Sequence, residues 1–344
     1  MAPGRTMKSQ PRIELNALDS RITFVLFWNE RGTKRLRIIL DWDGTVTTHD
    51  TLHIVAAIGY ERNQHLNLTP WDQIVQAYIS NYTQHEESYR PARLDRKTIA
   101  QESAWLASLT DVEARSVKTA RDAGIFTGVT NKDIYLGAEH AILNNKIQLR
   151  DGWKDIFAMA SHPGNDMANQ SPVSIISVNW SGTFVRACLS AGLRDSPPMR
   201  GTADSIPIFS NHLLLDPSGG DSEGPGIRTS ADKLDAFQKL RDSGSGPVFY
   251  VGDSPTDFDC LLAADVGFCV RDEPIGSGQA NLKESLERVG VQVTRLELDA
   301  WDKYQKKIVG REVGKESNKV IWWVADLREV VTFAEKYVGS DSAV

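Results

Sequence analysis

At 344 residues, 41% hydrophobic and 24% charged, the chain has the composition of a folded globular protein, not of a disordered or fibrous one, and room for one large or two smaller α/β domains. Its 39 Lys+Arg against 45 Asp+Glu leave a net charge of −6, which argues against nucleic acid as a partner and still allows a local site for a small anion. No apolar run reaches the roughly 18 residues of a membrane span, and three scattered cysteines, Cys188, Cys260 and Cys269, suit a reducing, cytoplasmic setting better than a disulfide framework or a zinc site.

In chain order, residues 1–36 carry a local excess of basic side chains, among them Arg5, Lys8, Arg12, Arg31, Lys34 and Arg35. They read as a disordered extension, with a weak organelle-targeting segment as the alternative. Leu36–Leu40 (LRIIL) predicts a buried strand that delivers Asp41-Trp42-Asp43-Gly44-Thr45 to its C-terminal tip. That end of a strand is where open α/β sheets bind ligands. Asp50 and Thr51 start the next helix, with His49 and His53 beside it as capping or core-edge residues, or else facing substrate. From Leu52 to about Lys154 the apolar positions, such as Ile74, Tyr78, Trp105, Leu106 and Leu109, fall at helical spacing, interrupted by Pro70, Pro91 and Gly124. Trp71, Tyr78 and Tyr82 read as core within this all-α insertion, with a cage for an aromatic heterocycle as the alternative.

Strand texture resumes at Val173–Ser177, Ile206–Phe209, Val248–Val251 and Val266–Val270, with helical spacing at Gly182–Ala191, Leu234–Leu240 and Phe258–Ala264. Alternating strands and helices predict a parallel, doubly wound sheet. Ile206–Leu215, with Asn211 in it, reads as one side of a hairpin ending in the Gly/Ser/Asp-rich loop Pro217–Gly226. After Arg271 the pattern weakens, and Val320–Val338 reads as a terminal helix.

Four separated pieces each end a strand or open a helix: Asp41 and Asp43, Ser177, Lys233, and Asp253 with Asp257. Parallel strands carry their C-terminal tips on one edge, so these pieces can converge. Each alone could be a surface turn or a helix cap; their order at successive element boundaries is what points to chemistry.

In these pieces the chain resembles the haloacid dehalogenase superfamily of phosphotransferases. Asp41-Trp42-Asp43-Gly44-Thr45 is similar to its first motif, Ser177 to its second, Lys233 to its third and Gly252-Asp253-Ser254-Pro255-Thr256-Asp257 to its fourth. Ser177–Ser181, Ser230–Lys233 and Tyr250–Gly267 further resemble the phosphatase domain of plant thiamine monophosphate phosphatases, with phosphoserine phosphatase-like enzymes and phosphatases of methionine salvage as wider kin. The resemblance covers residues 37–271 and implies a Rossmann-like core with a helical cap; we assign the core to 37–54 and 155–344 and the cap to 55–154.

The residue types suit that chemistry. Asp41 is a competent nucleophile toward phosphorus, splitting one hard step into two through an aspartyl-phosphate. Asp253, with Asp257 direct or through water, would join Asp41 in an oxygen shell for magnesium; the resemblance adds the backbone carbonyl of Asp43. Lys233 and Ser177 would stabilise the phosphoryl oxygens. The Asp43 side chain can reach the leaving-group oxygen as general acid and then activate water as base, which favours phosphate esters over haloalkanoates. Gly44 suits the turn and Thr45 ties the loop. Thr45 and Asn179 complete the candidate phosphate-binding set with Ser177 and Lys233. Asn179 and Trp180 either shape the leaving-group pocket or pack against the cap.

The reading that follows is a magnesium-dependent phosphomonoesterase for a small phosphorylated metabolite, thiamine monophosphate being the best named compound. A phosphomutase and a catalytically idle binding or regulatory relative are the alternatives. A monomer or homodimer without nucleic-acid or membrane partners completes the expectation.

Overall fold

Strand β1, Arg37–Leu40, is buried along its whole length, as a run of Ile and Leu must be when both faces of a sheet are covered. The structure is a computed structural model and describes residues 36–160, 171–196, 199, 201–212, 226–297 and 320–340. The basic N-terminal extension, but for Leu36, and most of the Gly-rich loop Pro217–Gly226 lie outside the described residues.

Between β1 and the next strand run helices α1 (Leu52–Arg62), α2 (Trp71–Ser88), α3 (Ile99–Ser108), α4 (Thr110–Asp122), α5 (Asn131–Leu143) and α6 (Trp153–Ala158). Two begin with reciprocal caps, Thr98 with Gln101 and Thr130 with Asp133, each satisfying two donors that a helix start leaves open. The chain leaves β1 and returns from this helical block through one narrow neck, where Thr47 bridges Leu149 in antiparallel fashion and the Thr48 N–H donates to the Gln148 carbonyl at 2.9 Å.

The chain continues with β2 (Val173–Ile176), α7 (Gly182–Gly192), the short α8 (Thr202–Ser205), β3 (Ile208–Phe209), α9 (Ser230–Asp242), β4 (Val248–Gly252), α10 (Phe258–Ala263) and β5 (Val266–Val270). Next come α11 (Ser277–Arg288), β6 (Gln292–Arg295), β7 (Val320–Val324) and α12 (Leu327–Ser340). The seven described strands form one sheet in the order β3-β2-β1-β4-β5-β7-β6. Every pairing in it is parallel. This is the doubly wound α/β architecture that the alternation of elements predicts. β1 lies between β2 and β4, so the chain reverses its direction of travel across the sheet there. The tips of β1, β2 and β4 therefore share one crevice.

Two parts of the chain differ from the sequence reading. Val320–Val338 is not one helix: Val320–Val324 is a strand seated between β5 and β6, and α12 begins only at Leu327. A short unbroken apolar run such as VIWWV has no period of its own, and its strand partner β5 is remote in sequence. Past Arg271, where the pattern fades, α11 and β6 still form, with β6 as a partly exposed edge whose Gln292, Thr294 and Arg295 are polar. Of the hairpin read at Ile206–Leu215, residues 213–215 and nearly all of the loop lie outside the described residues. Strand β3 pairs parallel with β2, and His212 bridges Ser181.

Candidate active site

The turn after β1, Trp42–Val46, is tight because Gly44 takes φ +73 and has no Cβ to collide with the Asp253 carboxylate behind it. Arg150, from the returning side of the neck, holds the Gly44 and Thr45 carbonyls of this turn. Around the turn the four sequence-predicted pieces meet.

Lys233 enters from the first turn of α9, whose start is fixed by Thr229 and Asp232. The Asp232 carboxylate accepts from the Thr229 N–H at 2.8 Å, and Thr229 Oγ1 accepts from the Asp232 N–H at 3.3 Å. Lys233 is 0% exposed. Its Nζ lies 2.8 Å from Asp41 Oδ1 and 2.8 Å from Asp257 Oδ1. Burial alone would lower its pKa, but the two carboxylates outweigh that and raise it, so the ammonium stays charged.

Asp257 is fully engaged in organising the fourth motif. Its Oδ1 also accepts from the Tyr250 hydroxyl at 2.8 Å, and its Oδ2 accepts from the N–H groups of Asp253 and Ser254, each at 3.0 Å. Tyr250 is a contributor that sequence reasoning missed. A hydroxyl inside the otherwise apolar strand VFYV is the signal that points to it.

Asp253 accepts from Thr45 Oγ1 at 3.2 Å. Burial and the neighbouring Asp257 push its carboxyl up to about 8. Burial and Asp257 likewise raise Asp41 well above the usual carboxylate range, Lys233 opposing them. Asp41, Asp253 and Asp257 each bring an oxygen within 4.8 Å of the others. Three buried carboxylates thus face one ammonium, and Asp41 Oδ1 has no hydrogen-bond partner beyond its ion contact with Lys233. An all-oxygen donor set with surplus negative charge fits a hard divalent cation such as magnesium.

Asp43 is turned to the other side of the site. Its Oδ1 accepts from the Thr51 N–H at 2.7 Å and the Thr51 hydroxyl at 2.5 Å, and its Oδ2 accepts from Asn179 Nδ2 at 3.0 Å. Burial and then Asp50 push this carboxyl up to about 6, against the pull of those hydrogen bonds.

Ser177, at the tip of β2, is fully buried; its N–H donates to the Phe209 carbonyl at 2.9 Å and its Oγ accepts from the Asn179 N–H at 3.0 Å. Asn211 closes the same corner, donating to the carbonyls of Val178, Asn179 and Ile227 at 3.0, 3.2 and 2.7 Å. The side chains of Thr45 and Asn179 thus rest on carboxylates of the site, Asp253 and Asp43. Trp180 packs outward against the helical block, edge-on to Trp71 at 6.1 Å and to Phe126 at 5.8 Å. His49 and His53 are exposed.

A cavity of about 200 Å³ lies between the helical block and the sheet domain, beside Ser254. Its wall includes Tyr78, Tyr82 and Trp105 from the helices and Thr256 and Ser230 from the core. Glu102, on α3, crosses the same boundary in a buried cluster with Arg96 at 2.7 Å and Arg288 at 2.9 Å.

In the order of its motifs the chain resembles the haloacid dehalogenase superfamily. No family model matches it. It is 27% identical over 245 residues to a CTO1 family protein of Schizosaccharomyces pombe, an alignment covering 68% of this chain and 81% of that protein. It is 24% identical over 294 residues to the bifunctional TH2 protein, mitochondrial, of Arabidopsis thaliana, covering 78% of this chain and 43% of that one. A phosphoserine phosphohydrolase-like protein from Francisella tularensis superposes with a TM-score of 0.41 at 14% identity, over 87% of this chain and 99% of that one. Among the described residues no helix is long and apolar enough to cross a membrane.

Proposed function

We propose that the protein is a magnesium-dependent phosphomonoesterase of the haloacid dehalogenase type, acting on a small phosphorylated metabolite. The observation that carries this reading is the separation of two aspartates two residues apart into two environments. Asp41 is paired with Lys233 among the acidic side chains, and Asp43 is held by Thr51 and Asn179. One carboxylate is placed to attack and the other to move a proton.

Asp41 attacks phosphorus, forming an acyl-phosphate as the ester P–O bond breaks. Asp43, protonated, gives its proton to the departing oxygen. In the second half, water attacks the same phosphorus, Asp43 takes its proton, and inorganic phosphate leaves with Asp41 restored. Lys233, fixed between Asp41 and Asp257, offsets the charge that builds on the equatorial oxygens, and Ser177 donates to one of them. Magnesium, held by Asp41, Asp253 and the Asp43 carbonyl with Asp257 in support, would neutralise the carboxylates and the phosphate together.

All three cysteines are free and buried, which supports a reducing compartment, and we place the enzyme in the cytoplasm. The resemblance of its motif stretches puts thiamine monophosphate first among candidate substrates. The test is phosphate release from a panel of phosphorylated metabolites, with magnesium and with chelator, for wild type and Asp41→Asn. Magnesium-dependent release lost in Asp41→Asn is the expected result, and the best substrate names the reaction. Turnover to an isomer with no free phosphate would replace this reading with a phosphomutase, and silence toward every compound with one of a binding protein.

A further inference from the structure

Arg150 stands far from every motif in sequence, yet its guanidinium lies against the catalytic turn. The residue is 4% exposed. Nε donates to the Thr45 carbonyl at 3.0 Å and Nη2 to the Gly44 carbonyl at 2.8 Å. Nη1 pairs with Asp272 Oδ1 at 2.5 Å, and Nη2 reaches Asp272 Oδ2 at 3.3 Å. Asp272 is itself braced by Gln279 Nε2 at 2.7 Å, from the start of α11. The backbone of Arg150 is pinned as well, its N–H donating to the Val46 carbonyl at 2.8 Å.

The two carbonyls held by Arg150 belong to the two residues that follow Asp43. Gly44 follows Asp43 directly, and Thr45 carries the hydroxyl that meets Asp253. Gly44 at φ +73 is the residue about which this turn can most easily reorganise, since glycine has little intrinsic preference for that conformation over others. Fixing both peptide planes fixes where Asp43 points and how far Asp253 stands from Asp41. A planar fork with five donors can hold two carbonyls and a carboxylate at once; an ammonium on a flexible stem cannot. We propose that Arg150 is the positioning residue of the catalytic turn, and that the chain returning from the helical block thereby sets the geometry of the nucleophile, the proton-transfer group and the metal ligand. The proposal rests on the phosphatase reading for its kinetic consequence but not for its structural one.

The experiment compares wild type with Arg150→Ala, Arg150→Lys and Asp272→Asn by two readouts: steady-state kinetics on the best phosphate ester, and amide hydrogen exchange along residues 42–47. In Arg150→Ala, kcat is expected to fall by about 10²-fold, the cost of a misplacement on the order of 1 Å, while KM stays nearly unchanged. Arg150→Lys, which keeps the charge and loses the fork, is expected to remain at least about tenfold slow, and added guanidinium to restore part of the Arg150→Ala loss. Exchange at 42–47 speeds up in both Arg150 variants while β4 stays protected. A wild-type kcat in Arg150→Lys, or unchanged exchange at 42–47 in Arg150→Ala, overturns the proposal. Should Arg150→Ala fail to fold, Arg150→Lys and Asp272→Asn decide it by the same two readouts. If the wild type releases no phosphate, the phosphatase reading fails, and the exchange measurement alone still decides the role of Arg150.

Discussion

Asn179 donates to the Oδ2 of Asp43 at 3.0 Å from 136 residues away in sequence, and that one contact joins the second motif region to the first. Asn179 also donates to the Thr51 hydroxyl at 3.2 Å, so Asp43, Thr51 and Asn179 form a closed triangle. Within it Asp43 has its rotamer fixed and its proton affinity held down against the burial that raises it.

The triangle makes a prediction about leaving groups. In Asn179→Ala, hydrolysis of an alkyl phosphate, whose departing oxygen needs a proton, is expected to slow by about 10–100-fold, the range seen when a supporting hydrogen bond is removed. p-Nitrophenyl phosphate, whose phenolate leaves unaided, should lose much less. Equal losses on both substrates would detach Asn179 from proton transfer.

Trp180 sets its ring against the helical block. It is 7% exposed and packs with Ile74, Ala120 and Ile125 as well as with Trp71 and Phe126. Trp180→Ala removes a large buried ring at the contact between helical block and core, and should cost about 3–5 kcal/mol in urea unfolding. Trp180→Phe, which retains an aromatic edge, should recover a large part.

Metal binding should be visible in stability alone. Three carboxylates around one ammonium repel one another in the metal-free protein, so magnesium is expected to raise the thermal midpoint, by the equivalent of about 2.7 kcal/mol at a hundredfold excess over its dissociation constant. Asp253→Asn should abolish that rise, because one of the oxygen donors of the site is gone. A magnesium response that survives in Asp253→Asn removes this residue from the metal site.

Asp272 supplies a pH signature. Burial works to raise its pKa, but hydrogen bonds from Arg150 and Gln279 prevail and hold it below the ordinary value. A carboxyl depressed in the folded state contributes stability that is present above its unfolded pKa of about 3.9 and is lost as pH falls through the folded value. Wild type should therefore lose its stability advantage over Asp272→Asn below about pH 4, as measured by urea midpoints across the acid range. A constant difference down to the lowest pH would mean that the ionised form contributes nothing.

The element pattern and the four motif positions were legible because they rest on local causes. Apolar runs of Ile, Val and Phe that end in turn residues favour buried strands, and polar residues at a strand tip fall on the sheet edge. Thr229 and Asp232 cap α9 by contacts within one turn, and that brings Lys233 to the site. Where two elements compete for the same string, local causes fall short. VIWWV would serve as a strand or as part of a helix, and it is a strand because β5 and β6 lie on either side of it.

The sequence by itself determined the alternating α/β order, the helical insertion after the first strand, and the identities of Asp41, Asp43, Ser177, Lys233, Asp253 and Asp257 as the polar groups delivered to one edge. Only the tertiary structure decided how they share the work. It pairs Lys233 with Asp41 and Asp257, turns Asp43 toward Thr51 and Asn179, seats the Tyr250 hydroxyl on Asp257, and brings Arg150 back from the far end of the insertion to grip the turn. The physical reason is that residue type and local spacing fix which element forms and which end of it is polar. Hydrogen-bond partners are chosen by packing across the sheet, between residues whose separation in sequence carries no period to read.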